Sequence, residues 1–169
     1  AYASARNAPA ARVLKIPDGI SDETAAAALM KGMTVEYLLE RTYKVRPGEM
    51  VLFFAASGGV GQIAGQWGKH LGAEMIGVTS GPENCARALE QGYAHAIDRK
   101  TEDVAERVKD ITGGAGVPVV YDSIGKATYE TSLACLATYG MFVSFGATTG
   151  EAPAVAPSVL QHGGSLYFT

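Results

Sequence analysis

From residue 50 onward the chain alternates between short, continuous apolar runs and stretches in which apolar residues return every three or four positions. The runs are VLFF (51–54), MIGVT (75–79), AHAI (94–97), VPVVYD (117–122), MFVSF (141–145) and SLYF (165–168). A strand covered on both sides has no polar face to show, so unbroken hydrophobicity marks a buried parallel sheet. Between the runs, apolar residues recur at helical spacing. They are Val60, Ile63, Ala64, Trp67 and Leu71; then Ala86, Ala88 and Leu89; then Val104, Val108 and Ile111; then Tyr129, Leu133 and Leu136. Right-handed crossovers between such βα units place helices on both faces of the sheet. The predicted fold class is therefore α/β: a Rossmann-type, doubly wound parallel sheet of about six strands in the order 3-2-1-4-5-6.

The first 46 residues follow a different pattern. Residues 1–17 read as irregular or extended and close on the turn signal Pro17-Asp18-Gly19. Ser21, with Glu23 and Thr24, is placed to cap a helix through AAAALM, and Val35, Leu38, Leu39 and Thr42 continue at helical spacing. Arg46-Pro47-Gly48 ends the pattern, so two helices attached to the sheet domain are expected. The chain begins without Met and stops on a strand-like run, which leads us to expect a piece of a longer protein.

Composition narrows the function classes. Of 169 residues, 47% are hydrophobic and 18% charged, the balance of a soluble globular domain. A net charge of −3 and a pI near 5.6 give no general attraction to nucleic acid or to an anionic membrane. No apolar run approaches the roughly 20 residues of a membrane span, and the N-terminal segment lacks a signal-peptide layout. A soluble cytoplasmic protein is expected. Cys85 and Cys135 form no CxxC and are expected to be buried thiols. His70, His95 and His162 form no ligand cluster, so no metal site is expected.

The candidate chemistry lies after the first strand, in Ala56-Ser57-Gly58-Gly59-Val60-Gly61. A phosphate-binding βα turn needs a tight reversal, a backbone the diphosphate can approach, and a helix N-terminus aimed at the anion. Gly58 stands where the second glycine of GxGxxG permits the approach, and Gly61 where the third permits close helix–strand packing; Ala56 departs from the first glycine. NAD-specific sites end the second strand in a carboxylate that binds the ribose 2′-hydroxyl. Here that strand ends Val78-Thr79-Ser80-Gly81, with no acid, and Arg99 and Lys100 follow the third strand. A hydroxyl and two cations suit a 2′-phosphate, so NADP(H) is expected rather than NAD.

The string AASGGVG (55–61), with KGMTVEYLL (31–39), ITGGAGVPVVYDSIG (111–125) and MFVSFGATTG (141–150), resembles the zinc-independent quinone oxidoreductases of the medium-chain dehydrogenase/reductase superfamily. The likeness covers essentially the whole chain. It implies a nucleotide-binding domain over residues 47–169, with residues 1–46 as the exit of a GroES-like substrate domain and its linking helices. It places Thr34 near the nicotinamide and its ribose, and Ala56, Gly58, Gly59, Val60 and Gly61 on the diphosphate. Ser80, Asn84, Arg99 and Lys100 fall at the 2′-phosphate, where the family usually carries a lysine at the position of Asn84 and a tyrosine at that of Arg99. Ser123, Phe145 and Gly146 match positions lining the cofactor. Zinc-dependent relatives place a cysteine ligand just before GMTVEY, where this chain has Leu29, Met30 and Lys31.

The resemblance further implies hydride transfer from NADPH to a quinone or related conjugated carbonyl, and a homodimer paired through the edge carrying MFVSF and SLYF. No catalytic residue is named, because the chain shows no evident proton relay. It is expected to bind cofactor but not to turn over alone. An enoyl or alkenal reductase on the same scaffold, and a non-catalytic NADPH-binding module with a structural or RNA-binding role, remain alternatives.

Overall fold

The computed structural model describes residues 3–155, residue 158 and the backbone of Ser165–Phe168. His162 lies outside the described residues. After a single 3-10 turn at Ala10–Arg12, the elements in chain order are α1 (Asp22–Glu36), β1 (Met50–Phe54), α2 (Gly59–His70), β2 (Glu74–Thr79) and α3 (Pro82–Glu90). Then come β3 (His95–Asp98), α4 (Val104–Thr112), β4 (Val117–Asp122), α5 (Tyr129–Ala134), β5 (Leu136–Ser144) and β6 (Ser165–Phe168).

All pairings are parallel and the sheet runs β3-β2-β1-β4-β5-β6, the doubly wound order expected from the apolar runs. Adjacent residues of one strand feed different layers, because side chains alternate across a strand. Val51, Phe53, Met75, Val119, Tyr121 and Val143 build one core. Leu52, Phe54, Ile76, Val78, Val120 and Phe142 build the other, under Val104 and Val108 of α4 and Tyr129 of α5. Central strands therefore bury every position from Val51 to Phe54.

The segment before β1 differs from expectation. Instead of two helices, α1 runs on without a break into a π-helical stretch, Tyr37–Thr42. Its start is capped as predicted, with Ser21 Oγ accepting from the Thr24 amide at 3.2 Å. The widened end is held from the sheet. Tyr121, fully buried on β4, donates its hydroxyl to the Leu38 carbonyl at 2.7 Å and lies 3.3 Å from that of Tyr43. Burial raises the Tyr121 pKa above the ordinary phenol value. The Leu38 carbonyl also accepts from the Tyr43 amide, five residues on, at 3.2 Å, so the tyrosine of β4 adds a second bond to it. Val35, Leu38 and Leu39 are fully buried in the first core.

Strand β5 also differs. It begins at Leu136, a residue whose spacing suggested the end of a helix, and Leu136 pairs with Val117 ahead of a register shift toward Val119. Tyr139, at φ 63° and largely exposed, marks the irregularity. The pairing captures Leu136 because α5 stops at Ala134 and Val117 donates its amide to the Cys135 carbonyl at 2.9 Å.

Candidate functional site

At the end of β1 the chain reverses through Ala55, which has φ 56°. The left-handed region costs a residue with a Cβ about 1–2 kcal/mol, and such strain persists only where surrounding bonds enforce it. Four bonds do so. The Gly58 amide donates to Ala55 O at 2.9 Å, the Ala56 amide to Val78 O at 3.1 Å, and Gln62 Nε2 to Ser57 O at 2.8 Å. The hydroxyls of Ser57 and Thr79 lie 2.7 Å apart. The turn is thus clamped to the end of β2. The alanine at position 56 needs no glycine freedom, since Ala55 takes the left-handed conformation instead. Ala56 is fully buried, its methyl over Gly77.

The glycines of the turn are constrained by what surrounds them. A Cβ on Gly61 would collide with the backbone carbonyls of Ala55 and Ala56, and one on Gly58 would lie 3.1 Å from Ala55 O. Tyr93 donates its buried hydroxyl to Gly61 O at 2.8 Å, drawing the helix onto the sheet from the other side. Helix α2 begins with Gly58 as N-cap, no side chain accepts from its first amides, and no acid occupies its first turn. Gly58 and Gly59 are exposed. The first amides, capped by no side-chain acceptor, and the positive end of the helix dipole form a cradle for an anion, with the flexible Lys31 side chain lying over Gly59.

Lys31, absent from the predicted site, reaches this cradle from α1. A Cβ on Gly59 would stand 2.6 Å from Lys31 Cε and 3.4 Å from Nζ. The ammonium donates to Ala27 O at 3.2 Å and adds a movable positive charge beside the amides. Thr34 sits three residues further on the same helix face. Its hydroxyl donates back to Met30 O at 3.0 Å.

The neighbouring turns gather the next group. Arg99 Nε donates to Ser80 Oγ at 2.9 Å, uniting residues 19 apart in sequence. Asn84 faces the same residue, its Nδ2 donating to Ser80 O at 2.8 Å. Asp98 joins the two turns: its Oδ1 accepts from the Gly81 amide at 2.8 Å and from the Lys100 amide at 3.0 Å. Those two bonds, Gly81's first, hold its carboxyl below the usual range, so the lock stands at neutral pH and is lost only as pH falls through that lowered value. The sequence reading missed Asp98; a lone acid ending an apolar run was the available signal.

A third loop follows β4. Asp122 is fully buried and accepts from the Ile124 amide at 2.7 Å, the Gly125 amide at 3.2 Å, Thr128 Oγ1 at 2.6 Å and Ser132 Oγ at 2.7 Å. These bonds shape the loop that carries Ser123. Gly146 lies against it, where a Cβ would come 2.8 Å from Ser123 O. The Phe145 amide donates to Asp122 O at 2.9 Å, and its ring packs on Phe53 with centroids 5.5 Å apart. The residues predicted at 123, 145 and 146 are thus adjacent, at the carboxyl ends of β4 and β5. Beside Arg99, a cleft of about 450 Å³ opens between the start of α4 and α5, lined by Phe54, Asp103, Thr128 and Thr131.

The three positions before Gly32 carry no zinc ligand. Leu29 and Met30 offer no hard or thiolate donor, and Lys31 is a cation. Among the described residues no three His, Cys, Asp or Glu side chains are placed to share a metal. Cys135 is buried, which pushes its thiol up to about 12, while Cys85 is only partly buried and its thiol is raised chiefly by that burial. No helix among the described residues is long and apolar enough to cross a membrane.

Known proteins resemble this chain over its whole length. The chain is 50% identical, over all its 169 residues, to a quinone oxidoreductase of Salmonella typhimurium, of which it covers 52%. It is 45% identical over 172 aligned residues to a 2-haloacrylate reductase of Burkholderia, again covering 52% of that protein. The crystal structure of Escherichia coli quinone oxidoreductase complexed with NADPH superposes with a TM-score of 0.87 at 49% identity, over 91% of this chain and 47% of that one. The chain thus spans about half the length of the curated relatives it matches. Residues 59–168, from the first turn of α2 to the last strand, match the zinc-binding dehydrogenase family, and it is to that family that the chain belongs.

Proposed function

We propose that this chain is the NADPH-binding part of a zinc-independent quinone oxidoreductase, which passes hydride from NADPH to a quinone or a related conjugated carbonyl. The observation that carries the proposal is the clamped turn at Ala55–Gly61, whose exposed, uncapped amides suit a diphosphate. In support, relatives close to half identical are quinone oxidoreductases, and one was solved with NADPH.

Ala56, Gly58, Gly59, Val60 and Gly61 hold the diphosphate, with Lys31 adding charge. Ser80, Arg99 and Lys100 face the 2′-phosphate and Asn84 stiffens Ser80; the cleft beside Arg99 takes the adenosine end. Thr34, Ser123, Phe145 and Gly146 border the nicotinamide half. When bound, NADPH supplies the hydride, and the chain supplies position and a fixed electrostatic field. The 2-haloacrylate reductase relative supports a conjugated acceptor in a broader sense, with an enoyl-type reduction as the second reading.

Residues 1–46 are the exit of a GroES-like substrate domain. Such a domain would cover the apolar face left by Leu29, Met30 and Met33, which are 50%, 71% and 53% exposed. The β6 edge suits pairing with a second copy, since an open apolar edge is otherwise a liability. The free thiols suit the reducing cytoplasm.

Titration of the chain with NADPH and NADH, read by fluorescence and thermal shift, tests the proposal. NADPH is expected to bind at least about tenfold more tightly, a difference of about 1.4 kcal/mol. Its advantage should shrink below about pH 6, where the phosphate monoester dianion is protonated to the monoanion. Equal responses would remove the 2′-phosphate reading, and no response to either would remove the cofactor. Light scattering on the same sample should report a dimer; a monomer's mass would exclude the edge pairing.

A further inference from the structure

We infer that Arg87 reads the cofactor's 2′-phosphate together with Arg99, Arg99 being bonded to the Ser80 hydroxyl and Arg87 linked to the Ser80 carbonyl through Asn84. The inference rests on the NADPH reading above and adds a specificity-determining residue to it.

Three hydrogen bonds form a continuous chain. Arg99 Nε donates to Ser80 Oγ at 2.9 Å, Asn84 Nδ2 donates to Ser80 O at 2.8 Å, and Arg87 Nη1 donates to Asn84 Oδ1 at 3.4 Å. Side chains on a helix lean toward its N-terminus and meet those three residues away. Arg87 therefore reaches back over Asn84 toward the end of β2, rather than out from the middle of α3. Asn84 is turned by its bond to Ser80 so that its carbonyl oxygen, not its amide, faces Arg87. The last bond is long, which suits a side chain that can move onto a better acceptor.

Charge points the same way. Among the described residues, the ion pairs engage Lys15, Arg41, Arg107 and Lys109; neither Arg87 nor Arg99 has a carboxylate within 4.0 Å. Both are exposed. Asp98, next to Arg99 in the chain, is occupied by the Gly81 and Lys100 amides and fixes Arg99's turn against Ser80's. A phosphate monoester carries close to two negative charges at neutral pH, and a guanidinium offers a planar pair of donors to its oxygens. Arg99 brings one such fork and Lys100 a point charge without one. Arg87, linked to the same serine through Asn84, adds a second fork.

The test is binding of NADPH, NADH and adenosine 2′,5′-bisphosphate to the chain and to its Arg87→Ala and Arg87→Lys variants. Arg87→Ala should weaken NADPH and the bisphosphate about 5- to 20-fold, leave NADH within about twofold, and flatten the salt dependence of NADPH binding. Arg87→Lys, which keeps the charge without the fork, should fall between. If the unaltered chain prefers NADPH and Arg87→Ala matches it, the inference fails while the cofactor reading stands. An equal loss for NADPH and NADH would make Arg87 a structural residue and also overturn it. If the unaltered chain binds neither dinucleotide, the cofactor reading itself has failed.

Discussion

Replacing Gly61 with alanine is expected to weaken NADPH binding at least about tenfold, the equivalent of about 1.4 kcal/mol. It should also destabilise the fold by about 2–3 kcal/mol, a loss of roughly 5–10 °C in melting temperature for a domain of this size. The added methyl would meet the backbone carbonyls of Ala55 and Ala56, which cannot swing aside as a side chain does. Relief requires that α2 move off the turn. That motion strains the Tyr93 bond to Gly61 O and carries the first amides of the helix away from the anion. Gly32→Ala is the control. That glycine also lies in a helix, but a Cβ there meets nothing within 4 Å, so the change should stabilise the chain by about 0.5–1 kcal/mol. If Gly61→Ala binds NADPH normally, the close-packed turn is not the cofactor's seat.

Asp122→Ala is expected to destabilise the chain by more than about 4 kcal/mol, among the largest effects a single substitution produces. Two amides and two hydroxyls converge on one buried carboxylate. Removing it strands donors that water cannot reach, at about 1–3 kcal/mol each. Asp122→Asn should cost only about 1–2 kcal/mol, because its oxygen still serves the Ile124 and Gly125 amides and the hydroxyls of Thr128 and Ser132 can rotate to accept from its amide. Urea denaturation of the two variants measures the contrast. Equal losses would mean that the carboxylate's charge, not its count of accepted bonds, holds the loop.

Much of the fold is legible in local pattern. Five of the six apolar runs became strands to within a residue at either end, the run 141–145 lengthened back to Leu136, and the order is the doubly wound one expected. The errors fell where a partner decides. Leu136 has helical spacing from Tyr129 and Leu133, yet it pairs with Val117 in β5. The two helices expected before residue 47 are one rod, which widens at Tyr37–Thr42, where Tyr121 of the sheet bonds to it, instead of breaking. Ala56 looked like a flaw in the glycine fingerprint; the left-handed residue proved to be its neighbour Ala55.

By itself the sequence determined the strands, the crossover helices and the glycine turn, since each depends on residues within a few positions of one another: burial on both faces, helical periodicity, and room where a Cβ does not fit. Tertiary structure decided the contacts the charges make, and it added Lys31 and Asp98, which the sequence did not place. Lys31 comes to Gly59 because α1 packs beside α2, Arg99 to Ser80 because β3 lies next to β2, and Asp98 is spent on two amides from two different turns. A charge acts through distance, and distances between segments far apart in the chain exist only once the sheet has set its neighbours.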